Sequence, residues 1–147
     1  MVGVGGVLVH EGRVLLIRRG KEPLLGRWVV PGGTVERGET LEDALVREMK
    51  EETDLRVRPL ELLTVFDRIE RDPSGEVRYH YVILDYLCEY LSGTARAGSD
   101  ALEVAFARPA ELGAFELPEK ALEVVQDGFA RVLARGLALP RGSRYTP

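Results

Sequence analysis

The stretch from Trp28 to Leu55 constrains this chain more than any other. It reads W-V-V-P-G-G-T-V-E-R-G-E-T-L-E-D-A-L-V-R-E-M-K-E-E-T-D-L. Its second half has helical periodicity, and Thr40 stands where an N-cap belongs, with Asp43 three residues on as a variant capping box. At about 100° per residue, Glu48, Glu51 and Glu52 fall within roughly 60° of one direction. Leu41, Ala44, Leu45 and Leu55 project to that same side, whereas Glu42, Asp43 and Lys50 point away. The carboxylates therefore continue the apolar stripe instead of the solvated face. Carboxylates near a core are costly unless something positive pairs with them. Three together ask for a cation, and hard oxygen donors suit Mg²⁺ or Mn²⁺.

The rest of the chain frames that helix. With 147 residues, 45% of them hydrophobic and 30% charged, one globular domain with a real core is expected. We read residues 1–138 as that domain and 139–147, with two prolines and a glycine, as a loosely held tail. A net charge of −4 offers no basic surface for nucleic acid or an anionic membrane. It does not exclude an anionic substrate, because a bound metal reverses the local field. The single cysteine, Cys88, lies in the apolar run from Val82 to Tyr90 and reads as a small buried hydrophobe. One cysteine with His10 and His80 gives no zinc spacing. No apolar run approaches the roughly 18 residues of a membrane span. Met1 to His10 reads as a first strand instead of a signal peptide, so a cytoplasmic location is expected.

Elsewhere, period-2 patterning and turn residues set the order. Strands are expected at Val2–His10, Arg13–Arg19 and Trp28–Val30, the last stopped by Pro31-Gly32-Gly33. Thr34–Val35 is expected to be extended, before the helix to about Thr53. Further strands are expected at Arg56–Arg68, Val77–Leu91 and Leu102–Ala107, with a helical turn at Pro109–Leu112. An amphipathic helix over Pro118–Arg135 closes the pattern, with Gly136 as its stop. Strands, helix, strands, helix imply an α/β fold with a mixed sheet between helices.

The central motif resembles that of the Nudix hydrolase family: Gly33, Glu39, Arg47, Glu48, Met49, Glu51, Glu52 and Leu55 stand at the family's spacing, within the Trp28-x-x-Pro31-Gly32-Gly33 context. One position departs, Asp54 for the family's glycine after the helix, where Asp tolerates a left-handed backbone better than most residues. The resemblance covers about residues 1 to 135 and implies the family's α/β/α sandwich. It also implies metal-dependent attack of water on a nucleoside diphosphate linked to another group.

Individual roles can be argued physically. Gly32 and Gly33 allow close backbone approach to a phosphate or ion, and Gly32 can offer a carbonyl. Glu48 and Glu52, one turn apart, can share a metal cluster. Glu51 can hold a second ion or deprotonate a water. Arg47 can pair with Glu39 or Glu51 and fix their rotamers. The family's distal metal or base residue usually precedes a late strand, which leaves Asp100 or Glu103. Arg18 and Arg19 either bind phosphate or form a surface pair. Tyr79, His80 and Tyr81 either meet a base or ribose or serve packing, and Trp28 is either core or cleft wall.

The segments Val65–Glu70, Tyr79–Ile83, Tyr86–Glu89 and Gly98–Asp100 resemble those of the short ADP-ribose pyrophosphatases, which implies ADP-ribose hydrolysed to AMP and ribose 5-phosphate. Oxidised nucleoside triphosphates, dinucleoside polyphosphates and nucleotide sugars are the alternatives. A ligand sensor that has lost catalysis is a different class, but such domains are expected to lose motif carboxylates, and Glu39, Glu48, Glu51 and Glu52 are all present. Many relatives pair, so the resemblance leaves a homodimer open.

Overall fold

The structure is a computed structural model and describes residues 1–138. The expected tail, 139–147, lies outside the described residues. Among the described residues there are seven strands, two α-helices and one 3₁₀ segment: β1 Val2–His10, β2 Arg13–Arg19, β3 Trp28–Val29, β4 Gly32–Thr34, α1 Leu41–Thr53, β5 Arg56–Arg71, β6 Val77–Ser92, β7 Ala101–Ala107, the 3₁₀ segment Pro109–Phe115, and α2 Glu119–Ala138.

β1 organises the sheet. Its run V-G-V-G-G-V-L-V is apolar on both faces, the signature of a strand covered on both sides. It runs parallel to β6 from Val2↔Val82 to Leu8↔Cys88. Its other edge is shared: Gly3 to Gly5 pair with β4, and Val9 and His10 pair with β2. β2 in turn pairs with β3 and β7. The order is β3-β2-β1-β6-β5, with β4 on β1 and β7 on β2, so the expected mixed sheet is present.

Two clusters cover the two faces. Val4, Leu8, Leu45, Met49 and Tyr86 pack on the α1 side. Val7, Leu16, Leu87, Val124 and Val125 pack on the α2 side. This is the expected α/β/α sandwich. Cys88 is buried, 2% exposed, and burial pushes its thiol up to about 12.

Four boundaries differ from expectation by more than one residue. Pro31-Gly32-Gly33 does not stop the chain's pairing. Pro31 ends the pairing with β2, and Gly32 and Gly33 resume it on β1 as β4, with the Pro31 carbonyl accepting from Gly6 N–H at 2.9 Å. The segment thus passes from one part of the sheet to the other. Gly136 does not stop α2, which runs on to Ala138. A lone helical glycine costs only about 1 kcal/mol, too little to end a helix anchored upstream by Val124, Val125 and Val132. β5 extends past Arg68 to Arg71, held by the Asp72–Glu76 turn. There Asp72 Oδ1 accepts from Ser74 N–H at 2.9 Å and from Glu76 N–H at 3.0 Å. The 3₁₀ segment runs on past Leu112 to Phe115.

α1 forms as the sequence implied. Thr40 Oγ1 accepts from Asp43 N–H at 3.1 Å, and Glu42 and Asp43 favour the positive end of the helix dipole. Asp54 closes the helix in the left-handed region (φ 61°), its N–H donating to the Lys50 carbonyl at 3.0 Å. Met49, fully buried between α1 and the sheet, anchors this helix. Met49→Ala should lower unfolding free energy by about 2–5 kcal/mol, read from the denaturant midpoint. A loss within experimental scatter would mean that α1 is not held by this contact.

Candidate functional site

Arg47 sits at the centre of an acidic cluster. Its Nε and Nη2 donate to the two Glu39 oxygens at 2.7 and 2.9 Å, a bidentate pair. Its Nη1 donates to Glu48 Oε1 at 2.8 Å and to Glu51 Oε2 at 3.3 Å. Nη2 also reaches the Thr34 carbonyl at 3.1 Å. One guanidinium therefore joins β4, the loop after it and α1. Arg47, with the Glu36 N–H, holds the Glu39 carboxyl down to about 2. Glu39 in turn raises the pKa of Arg47.

The glycine turn lies against the helix carboxylates. Gly32 N–H donates to Glu52 Oε1 at 2.7 Å. A Cβ on Gly33 would overlap the Glu48 carboxyl, and one on Gly32 would overlap the Val4 carbonyl. Only glycine permits both approaches. Glu52 is 4% exposed, and burial pushes its carboxyl up to about 7, against the opposing Gly32 hydrogen bond. Glu48 is half-buried and also raised by burial, with Arg47 opposing. Glu51 is exposed. The three carboxylates thus differ: two go inward, and the third stands at the mouth.

These groups line a cavity of about 260 Å³. Gly32, Gly33, Glu48, Glu51 and Glu52 form one wall, with Arg19, Lys21 and Asp100 beside them. Asp100 pairs with Lys21 at 2.7 Å, which raises the Lys21 pKa. The loop carrying Asp100 is seated on the end of α1, where Arg96 N–H and Gly98 N–H donate to the Thr53 and Glu52 carbonyls, each at 3.0 Å. Arg19 Nε donates to the Pro23 carbonyl at 2.5 Å and Arg19 lines the cavity. Arg18 and Glu103 are bonded to each other at 2.9 Å across β2 and β7, outside the cavity lining. Trp28 packs edge-on to Phe115, ring centroids 5.1 Å apart. His80 is exposed, 3.0 Å from Asp67. Neither of these two lines the cavity, whereas Tyr81 does.

Lys21, Phe66, Arg68 and Asp85 complete the cavity and were not picked out from the sequence. Asp85 carried a signal: it is a lone charge inside V-I-L-D-Y-L-C. Arg68 and Lys21 carried none, since arginine and lysine at strand ends and in loops are ordinary.

Among the described residues, no three acidic, histidine or cysteine side chains converge with metal-binding geometry. Glu48 and Glu51 are drawn to Arg47, and one Glu52 oxygen is engaged by Gly32 N–H. The donor set is nonetheless hard oxygen throughout, and Glu52 Oε2 has no hydrogen-bond partner among the described residues.

Comparison with known proteins identifies the family. The NUDIX domain family model matches residues 1–128. The chain belongs to that family. An ADP-ribose pyrophosphatase of Methanocaldococcus jannaschii is 40% identical over 105 residues, covering 71% of this chain and 60% of that protein. The chain therefore spans under two thirds of that relative's length. The crystal structure of a MutT NUDIX hydrolase from Burkholderia pseudomallei superposes with a TM-score of 0.70 at 31% identity, covering 85% of this chain and 95% of that one. The NUDIX domain of Shewanella oneidensis NrtR, complexed with ADP ribose, has a TM-score of 0.71 at 23% identity, covering 90% of this chain and 88% of that one; at that identity it speaks for the fold.

Glu52 yields a pH prediction for protein held in chelator. Its folded pKa, about 7, lies above the ordinary 4.5. The folded state then binds more protons than the unfolded state between those values, so stability falls as pH rises through that window. The loss should approach a few kcal/mol by pH 8. Glu52→Gln should flatten this component. Melting curves from pH 4.5 to 8 check it, and equal slopes in both proteins would refute the assignment.

Proposed function

We propose that this protein is a metal-dependent Nudix pyrophosphohydrolase whose substrate is ADP-ribose, cleaved by water to AMP and ribose 5-phosphate. The observation that carries the hydrolase reading is a buried Glu52 beside a half-buried Glu48, both against the Gly32–Gly33 turn and open to one cavity. Support for the substrate is the 40% identity to an ADP-ribose pyrophosphatase, together with the subgroup-like segments around Phe66, Tyr81 and Asp100.

The residues fit a divalent cation by the chemistry of their donors. Glu48 and Glu52, with the Gly32 carbonyl, would hold Mg²⁺ or Mn²⁺, with Glu51 and Asp100 at the rim. When bound, the cation neutralises the diphosphate and lowers the pKa of a coordinated water. It also supplies the positive charge that two inward carboxylates lack.

The chain's own residues do the rest. Arg47 holds Glu39 and steadies Glu48, so the carboxylates meet the substrate already oriented. Glu51, exposed and only weakly bonded to Arg47 at 3.3 Å, takes the proton of the attacking water. The new P–O bond forms as the bridging P–O bond breaks, and the departing phosphate carries away the anhydride oxygen. Arg19 and Lys21 offer positive charge to the phosphates from the cavity wall. No helix among the described residues is long and apolar enough to cross a membrane, in keeping with a small-molecule substrate reached from water.

The test is AMP release from ADP-ribose with Mg²⁺, against an EDTA control and a panel of other nucleoside diphosphate derivatives and oxidised triphosphates. Glu52→Gln should lose more than about 10²-fold and Arg47→Ala about 10- to 10²-fold in rate. A metal-independent rate, or near-wild-type turnover by Glu52→Gln, would overturn the mechanism. A higher kcat/KM for another panel member would overturn the substrate alone.

A further inference from the structure

The cavity extends across β1. On the β5 and β6 side of that strand from the glycine turn it is lined by Phe66, Arg68, Tyr81 and Asp85. Asp85 lies on β6 between Gly5 of β1 and Thr64 of β5. It is 3% exposed. Among the described residues, no hydrogen bond reaches either carboxyl oxygen. Its Oδ1 packs over the Gly5 backbone, where any Cβ would overlap it, so a glycine opposite is what gives this side chain room.

Charges near it act without a hydrogen bond to it. Burial raises the Asp85 carboxyl to about 6, opposed by the charges of Arg68 and Lys120. Arg68 is itself lowered by burial and has no hydrogen-bonded acceptor among the described residues; its guanidinium is 6.0 Å from the Phe66 ring centroid. Lys120 is bonded to Glu123 at 3.3 Å. A buried carboxylate without donors is expensive, and an apolar side chain would be the more stable occupant of this strand position. What the position lacks is a donor, and Asp85 lines the cavity, from which one can arrive.

We infer that Asp85 accepts hydrogen bonds from the neutral, hydroxyl- or amine-bearing end of the diphosphate substrate and so determines which diphosphates the cavity admits. This rests on the hydrolase reading above and names the specificity element of the same site. Paired donors suit a carboxylate: vicinal ribose hydroxyls or the N–H edge of a base. A phosphorylated end does not suit it, because phosphate brings acceptors and like charge to an acceptor that has no donor of its own. Phosphates are thereby directed to the other side of β1, toward Arg19, Lys21 and the metal-binding carboxylates.

The experiment is calorimetric binding of α,β-methylene ADP-ribose, which resists hydrolysis, to the full chain in Mg²⁺. Asp85→Asn and Asp85→Ala should each weaken it by about tenfold or more. Two further ligands locate the group: the analogue with a 2′-phosphate on the adenosine ribose, and the analogue phosphorylated on the terminal ribose. Wild type should reject the one whose modified end faces Asp85, and Asp85→Asn should narrow that discrimination. Affinities within twofold of wild type in both variants would overturn the inference, as would no binding of the analogue by wild type. A fall in melting temperature with unchanged affinity would assign Asp85 to the fold and also overturn it. The two readings separate cleanly. Asp85-dependent binding without hydrolysis of ADP-ribose or any other panel member sinks the enzymatic reading alone. Hydrolysis with wild-type KM in both Asp85 variants sinks this inference alone.

Discussion

The interaction on which the site depends is the grip of Arg47 on Glu39. Glu39, from the loop before α1, faces Glu48, Glu51 and Glu52, from its second half, and repulsion among them would push the helix and the preceding loop apart. Arg47 counters this from inside the cluster. Its planar fork takes both Glu39 oxygens, a third nitrogen reaches Glu48, and the Thr34 carbonyl fixes its far edge. A lysine could replace the charge but not this number of directed bonds. Glu52, the most buried of the set, lies beyond its reach and depends on a single backbone N–H. That division leaves a partly compensated acidic pocket, which is what a divalent cation requires.

How much of this was legible in the sequence follows from how local each cause is. The inward course of Glu48 and Glu52 is a matter of angle along one helix, so period alone revealed it. Glu51 lies only one residue from Glu52, yet its side chain reaches the mouth of the cavity. Neighbouring helix residues are about 100° apart, wide enough to straddle the boundary between pocket and solvent. The passage of residues 28–34 from β2 to β1 was not legible, because the glycines read as a stop and their partner on β1 is remote in sequence. The same reason hid Arg68 and Asp85. They face one cavity only because β5, β6 and β1 lie side by side; Asp85 stands in no motif, and Arg68 was named only within the Val65–Glu70 segment. Trp28 had two readings, and its contact with Phe115 depends on a 3₁₀ segment that follows β7.

The cavity is therefore polarised in its demands. One wall concentrates carboxylates that need a metal, next to cations that suit phosphate. The other wall holds a single buried carboxylate beside Arg68 and the Phe66 ring. A diphosphate with an uncharged organic end satisfies both at once, whereas a plain polyphosphate satisfies only the first. This asymmetry comes from β1 as much as from α1. Gly32 and Gly33 pair with Gly5 and Val4 on one edge of β1, and β6 on its other edge brings Asp85 into the space that Gly5 leaves.

Asp54 shows how a departure from the family pattern can be absorbed locally. A glycine there would supply the left-handed backbone and nothing more. The aspartate adopts that backbone at φ 61° and adds a carboxylate, 2.6 Å from Lys50 Nζ and 2.8 Å from Arg96 Nη2. Those two cations hold its carboxyl down to about 2. Exposed ion pairs of this kind contribute little to global stability, so their consequence is geometric. Arg96 belongs to the loop whose N–H groups cap the Thr53 and Glu52 carbonyls and which ends at Asp100. Through Asp54, the residue that terminates the carboxylate-bearing helix also tethers the loop bringing a further carboxylate to the same cavity. A left-handed glycine could end the helix equally well, but it could not make that second connection.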